Sequence, residues 1–87
     1  MFQATVHVTI KENVLDPQGQ AVEGALHSLG FGHARDVRIG KYLELTIDGD
    51  DRTRAEADLR EMCEKLLANT VIEDYRVELV EVDGKEQ

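Results

Sequence analysis

The stretch FQATVHVTI, residues 2–10, places an apolar side chain at every second position from Phe2 to Ile10. Polar side chains fill the positions between. This period of two is typical of a β-strand that has one face on a core and the other toward solvent. Because residues 11–13 break the alternation, the stretch predicts one strand at the start of the domain.

A helix is predicted directly after this strand. Asp16 can cap the free N–H groups of a first turn, and Pro17 stands where its missing donor costs nothing. Gly30 suits the left-handed end of a helix, and Phe31 can fold back onto the last turn. The apolar residues between these signals recur with helical spacing; they are Ala21, Val22, Ala25, Leu26 and Leu29.

The middle of the chain holds two short alternating runs, at residues 36–39 and 42–47. Gly40-Lys41 between them favours a tight reversal, so we predict a β-hairpin over about 35–48. One long strand with a glycine kink is the alternative, because the odd-numbered face keeps its phase through Lys41.

A second helix and a last strand complete the pattern. The spacing of Thr53 and Glu56 fits a capping box, and Asn69 is a plausible end of the helix. The last strand is predicted over about Tyr75–Val82, followed by a polar tail at 83–87. The helix has one apolar stripe, made of Leu59, Met62, Cys63, Leu66 and Leu67.

The resulting order, β-α-β-β-α-β, is that of a ferredoxin-like split β-α-β domain of the α+β class. We expect a single domain over residues 1–87, with an antiparallel sheet and two helices on one face. Such a unit has an open sheet face and unpaired edge strands, and both favour a symmetric dimer.

Composition excludes several classes of function. The formal net charge is −8 and the pI is about 4.7, which disfavours nucleic acid and anionic membranes as partners. No apolar run approaches the roughly 18 residues of a membrane span. A single cysteine permits no internal disulfide, so the cytoplasm is the expected location.

No catalytic or metal site is predicted. Asp48, Asp50 and Asp51 share one loop but lack the spacing of a calcium loop, so we interpret them as a turn before a helix. Cys63 falls on the apolar stripe and is expected to be a buried small hydrophobe. The histidines are scattered without metal spacing; they are His7, His27 and His33.

The densest basic spot in this acidic chain consists of Arg35, Arg38 and Lys41, with Tyr42 beside them. These side chains can hold a carboxylate, a phosphate or an acidic patch of a partner. Solvated charges at a strand edge are the alternative interpretation.

Three stretches carry a resemblance to a known family: KENVLDPQG at 11–19 with ALHSLGF at 25–31, VRIGKY at 37–42, and MCEKLLAN at 62–69 with VIEDY at 71–75. Together they resemble the PurS family, the small subunits of phosphoribosylformylglycinamidine synthase. The likeness spans nearly the whole chain. Thr70 is a departure, since the family pattern has proline there.

The resemblance implies a bridging subunit without catalytic residues and without a bound cofactor. In this family a large synthetase subunit uses ATP and Mg²⁺, and a glutaminase subunit supplies ammonia for the amidation of formylglycinamide ribonucleotide. The small subunit joins the two and forms a homodimer or a dimer of dimers.

Partner or dimer contacts are expected on the predicted hairpin and near the last strand. Gly40 is expected to give backbone freedom at the reversal, whereas Arg38 and Lys41 supply charge to an anionic neighbour. The full set is Arg38, Gly40, Lys41, Tyr42, Asn69, Glu73 and Tyr75.

A small-molecule-sensing regulatory module of the same fold remains the alternative function, with Asn13, Asp16 and Gly19 near its ligand. A stand-alone enzyme is disfavoured because no paired acid, base or nucleophile is present.

Overall fold

The computed structural model describes residues 1–82 and shows an α+β chain with three antiparallel strands and two helices. The predicted polar tail at 83–87 lies outside the described residues. The elements in order are β1 (Phe2–Ile10), α1 (Pro17–Ser28), β2 (Gly40–Ile47), α2 (Arg52–Met62), a short π-helix (Cys63–Leu67) and β3 (Glu73–Glu81). The predicted class and the antiparallel sheet are confirmed.

The strand predicted first in the chain lies at the centre of the sheet. The strand order is β2-β1-β3, and both neighbours run antiparallel to β1. Val6 is paired with Leu43 on one side and with Val77 on the other. β2 and β3 are therefore the two edges of the described sheet.

The hairpin predicted over 35–48 is not formed, so the order is β-α-β-α-β with three strands instead of four. Gly40–Ile47 is one strand, and the alternative of a longer strand through residues 36–39 is also wrong. Val37 donates its N–H group to Glu23 of α1, and Ile39 donates its N–H group to Asp16 at the start of this helix, instead of to a strand. Asp36 has a positive φ of 60°, which turns the chain before β2 begins.

The core lies between α2 and one face of the sheet. The alternation in β1 is confirmed, since its even-numbered residues from Phe2 to Val8 are buried. Leu59 and Cys63 are fully buried opposite them, and burial raises the pKa of the Cys63 thiol. The remaining members of the core are Ile47, Ala55, Ala68 and Leu79.

α1 makes little contact with the sheet. Its only buried residue is Gly19, and α2 is the helix that packs on β1 and β3. Asp16 caps α1 as predicted, accepting the N–H of Gly19 at 2.9 Å. Within one chain, the helix layer over the sheet is therefore α2 alone.

Candidate functional site

Four of the seven predicted contact residues meet at the connection between α2 and β3, which we call the junction (residues 63–73). Lys41 and Tyr75 are both register partners of Val8, so they lie on the same sheet face with the central strand between them. Asn69 and Glu73 belong to the junction itself. The sheet register brings together residues that are distant in sequence.

The π-helix at the start of the junction has a wider turn than an α-helix. The N–H of Ala68 donates to the carbonyl oxygen of Cys63 at 3.0 Å. The ammonium of Lys41 donates to the carbonyl of Leu67 at 2.8 Å, and this satisfies a backbone acceptor that the helix end leaves open. Lys41 thereby fixes the end of the helix against β2.

Side chains also hold the rest of the junction. The N–H of Asn69 donates to Glu73 Oε1 at 2.6 Å, and the N–H of Glu73 returns a hydrogen bond to the Asn69 carbonyl at 2.7 Å. The Tyr75 hydroxyl donates to Glu64 Oε2 at 2.7 Å. This hydrogen bond to a carboxylate raises the pKa of Tyr75.

The junction presents apolar side chains to solvent. Leu66 is 81% exposed and Val71 is 80% exposed. The apolar stripe of the sequence predicted Leu66 to face the core with Leu59, and this prediction is wrong because the π-turn changes the spacing at Leu66. The sequence therefore located this surface but did not identify the apolar residues that it exposes.

Arg38 acts within the chain. Its guanidinium donates to the carbonyl oxygens of Ile10 and Lys11, so it holds the end of β1 against the segment before β2. Lys11 in turn pairs with Asp74 at 3.3 Å. Two of the three cations in the predicted basic spot, Arg38 and Lys41, are thus bonded to backbone carbonyls.

Position 40 requires glycine because there is no room for a side chain, whereas the role predicted from sequence was backbone freedom at a reversal. Its φ is not positive, unlike those of Gly30 and Gly49, and no reversal occurs there. A Cβ atom on Gly40 would collide with the backbone oxygen of Val8. The absence of a side chain is what lets β2 begin its pairing with β1.

Tyr42 lies on the opposite sheet face from Lys41. Its ring packs on His7 with centroids 4.8 Å apart, and its hydroxyl donates to Glu44 at 3.1 Å. This hydrogen bond raises the pKa of Tyr42. The face is polar, since β1 contributes Gln3, Thr5, His7 and Thr9 to it.

A cleft of about 740 Å³ lies at the β1–α1 loop and is lined by Asn13 and Asp16. The Asp16 carboxylate accepts the N–H groups of Ile39, at 3.0 Å, and of Gly19, and these bonds lower its pKa. A Cβ on Gly19 would meet the Val37 carbonyl oxygen. Asp16 and Gly19 thus serve the fold, and a ligand contact by them or by Asn13 stays a prediction.

The aspartate loop before α2 is a turn, as predicted. Asp51 caps α2, and its carboxylate accepts the N–H of Arg54 at 3.2 Å; the capping box predicted at Thr53 is therefore wrong. Residues 1–82 contain no group of three potential ligands arranged to hold a metal ion. Neither helix in this part of the chain has the length and apolar character that a membrane crossing requires.

Comparisons with known proteins agree on one family. The family described as "PurS: Phosphoribosylformylglycinamidine (FGAM) synthase" matches residues 3–81. The chain is 60% identical over 82 residues to the phosphoribosylformylglycinamidine synthase subunit PurS of Bacillus subtilis, covering 94% of this chain and 96% of that one.

Solved structures show the same likeness. A crystal structure of Bacillus subtilis PurS superposes with a TM-score of 0.84 at 59% identity, over 93% of this chain and all of that one. A chain in a structure described as PurLQS from Thermotoga maritima gives a TM-score of 0.82 at 29% identity, over 91% and 96% of the two chains.

Proposed function

Since the chain belongs to the PurS family, we propose that it is the non-catalytic bridging subunit of phosphoribosylformylglycinamidine synthase. It joins the glutaminase subunit to the synthetase subunit in de novo purine biosynthesis. The observation that carries this role is the likeness of nearly the whole chain to one chain of the Thermotoga PurLQS structure.

The enzyme as a whole carries out the glutamine- and ATP-dependent amidation of formylglycinamide ribonucleotide in the cytoplasm. ATP and Mg²⁺ belong to the large subunit, and this chain binds no cofactor of its own. Its contribution is to hold the two catalytic subunits so that ammonia passes from one to the other.

The junction is the surface that we assign to a partner subunit. Exposed aliphatic side chains on a rigid frame suit docking, because little conformational entropy is lost when they are covered. Leu66 and Val71 make the contact in this proposal, and Lys41 acts by positioning the helix end. The contact set predicted from sequence, Arg38, Gly40, Lys41, Tyr42, Asn69, Glu73 and Tyr75, stays a prediction.

We also propose that the chain forms a homodimer, which can pair into a dimer of dimers. Its accessible surface is 6369 Å², about 1,200 Å² more than the roughly 5,200 Å² expected for a folded monomer of this mass. A standard interface covers about 800 Å² on each partner. The excess of accessible surface is therefore larger than the area that a standard interface covers on one partner.

Light scattering behind size exclusion tests both the bridging role and the homodimer. The chain alone is expected to elute as a dimer or tetramer, and to join one larger species with the matching synthetase and glutaminase under Mg-ADP and glutamine. Leu66→Asp is expected to abolish co-elution, whereas Ala57→Asp, at an exposed site on α2, is the matched control. Failure of the wild-type chain to join two folded partners would refute the bridging role.

A further inference from the structure

The polar face of the sheet has no helix over it within residues 1–82, because α2 packs on the other face and α1 makes little contact with either. Two rows of side chains cross the centre of this polar face, and each row takes one side chain from each strand. The rows are Tyr42-His7-Arg76 and Glu44-Thr5-Glu78. We call these six residues the polar patch.

The two glutamates of the polar patch act on the same region. Tyr42 donates its hydroxyl to Glu44 at 3.1 Å, and Thr5 donates its hydroxyl to Glu78 at 3.5 Å. The hydrogen bond to Glu44 raises the pKa of Tyr42 most, and the negative charge of Glu78 raises it further. Since a carboxylate has about four lone-pair sites, each glutamate keeps most of its acceptor capacity for another molecule.

The charges of the polar patch are not paired within the chain. Among residues 1–82, Glu44, Arg76 and Glu78 take part in no ion pair. Opposite charges directly across neighbouring strands would stabilise the sheet, yet the register sets these three charges opposite Thr5 or His7. The exposed side of α2 differs, because it holds the i,i+4 ion pairs Arg54–Asp58 and Arg60–Glu56.

The residue types of the polar patch are those of binding hot spots, among which tyrosine and arginine are enriched. Tyr42 is 55% exposed, and its ring packs on His7. This packing holds the ring, so little conformational entropy is lost when a partner covers it. Tyr42 is also a contact residue predicted from sequence that the junction does not include.

Charge favours a catalytic subunit over a second copy as the occupant. Two copies placed face to face would bring together four carboxylates and two guanidinium groups of the patch, in chains whose net charge is −8 each. A bridging subunit also needs two surfaces that do not overlap. The polar patch meets this need, because it lies on the opposite sheet face from Lys41, which borders the junction.

We propose that the polar patch binds the catalytic subunit that the junction does not bind. Glu44 and Glu78 hold a lysine or arginine side chain of that subunit, and Arg76 holds one of its carboxylates. This inference rests on the bridging function proposed above and adds the second of its two surfaces. The contact at the patch is ionic and the contact at the junction is apolar, so salt weakens the patch more.

Charge reversal tests this assignment in the mixture of three subunits. The double variant Glu44→Lys/Glu78→Lys is expected to release one catalytic subunit, with binding weakened more than about tenfold, whereas Leu66→Asp releases the other. Glu56→Lys/Glu81→Lys is the matched control, because it makes the same change in net charge at exposed positions outside both surfaces. This control is expected to leave both catalytic subunits bound.

Ionic strength gives an independent readout on the wild-type complex. Raising it from about 0.1 M to about 1 M shortens the Debye length from about 10 Å to about 3 Å. The subunit released by salt is expected to be the one that the double variant releases. Release of the subunit that depends on Leu66 would overturn the proposal.

Three results of the variant experiment separate this proposal from the bridging role. Wild-type assembly of the double variant, or loss of the same subunit from it and from Leu66→Asp, overturns the second surface and leaves bridging in place. A changed mass of the double variant alone, with the three-subunit species intact, assigns the patch to a second copy and overturns the proposal. Failure of the wild-type chain to assemble refutes the bridging role itself.

Labelling of the wild-type chain does not depend on how any variant folds. Hydroxyl radicals modify exposed aromatic rings, and mass spectrometry locates the modified residue. Labelling of Tyr42 is expected to fall at least about fivefold when the three-subunit complex forms, because the centre of an interface is closely packed. Phe31, which is 48% exposed and outside both surfaces, is the internal reference. Equal labelling of Tyr42 in the free chain and in the complex would overturn the proposal.

Discussion

Replacing Gly40 with alanine should destabilise the chain, although the residue is exposed and its backbone is unstrained. A Cβ at this position would overlap the backbone oxygen of Val8, and it would lie 3.0 Å from Thr9 Cγ2. The backbone oxygen cannot rotate away as a side chain can. The first residue of β2 therefore has to move away from β1, which disrupts its pairing with Thr9.

The size of the effect follows from this collision. Forcing an extra carbon into a packed region costs about 1–3 kcal/mol. For a domain of this length, each kcal/mol lowers the melting temperature by roughly 4–8 °C. We therefore expect Gly40→Ala to melt about 4–24 °C below the wild-type chain.

Gly24→Ala is the matched control, because it makes the same chemical change in the same chain. Gly24 lies in the middle of α1, and a Cβ there would meet no atom within 4 Å. Alanine is about 1 kcal/mol more favourable than glycine inside a helix. This variant should therefore melt roughly 4–8 °C above the wild type.

Thermal unfolding followed by circular dichroism, at one protein concentration for all three chains, measures both shifts. Opposite signs for the two glycines are the expected result. If Gly40→Ala melts at or above the wild type, then the close approach of β2 to Val8 is wrong. If both variants melt lower, the solvent-exposed placement of Gly24 is wrong.

Three further predictions concern the core, the junction and acid stability. Leu59→Ala should lower the unfolding free energy by about 2–5 kcal/mol in urea titrations, since this side chain is fully buried. Leu66→Ala in the isolated chain should change the unfolding free energy by at most about 0.5 kcal/mol. Equal losses of stability in the two variants would contradict the assigned core. Lys41→Glu should weaken co-elution with the partner subunits while the fold persists, because it places a carboxylate against the Leu67 carbonyl. Lys41→Met is the control for loss of charge alone, and unchanged assembly of Lys41→Glu would show that the partner contact does not depend on this position of the helix end. The lowered pKa of Asp16 means that its stabilising effect is present above the ordinary value of 3.8 and is lost as the pH falls below it. Asp16→Asn should therefore flatten the loss of stability between pH 5 and pH 2, and a wild-type acid profile in this variant would show that the carboxylate does not contribute.

The elements that the sequence predicts well depend on local signals. The alternation of residues 2–10 and the cap formed by Asp16 and Pro17 each involve neighbours a few positions apart, and both are confirmed. The predicted hairpin failed because its first half depends on a distant contact. Asp16 and Glu23 take the N–H groups of Ile39 and Val37, and alternation alone carries no information about that competition.

The candidate site likewise combines features that the sequence predicts locally with contacts that depend on the fold. Sequence position located Lys41 and Tyr75 as notable residues, but their meeting depends on the pairing of both strands with Val8. Within the chain, Lys41 holds a backbone carbonyl and Tyr75 holds Glu64, while their expected contacts with a partner stay a prediction. The residue types indicated that polar contacts form at these two positions. Only the fold shows which groups the two side chains contact.

Leu66 is the main support for our proposal that the junction contacts a partner subunit. Its helical spacing from Leu59 and Cys63 predicts a core position, and burying a leucine yields about 1.5–3 kcal/mol. The chain instead inserts a π-turn at residues 63–67 and leaves this side chain 81% exposed. Turns of this kind occur frequently at functional sites. In our proposal a partner subunit covers Leu66 and recovers this burial, so the side chain that stabilises the isolated chain least is the one that favours its assembly.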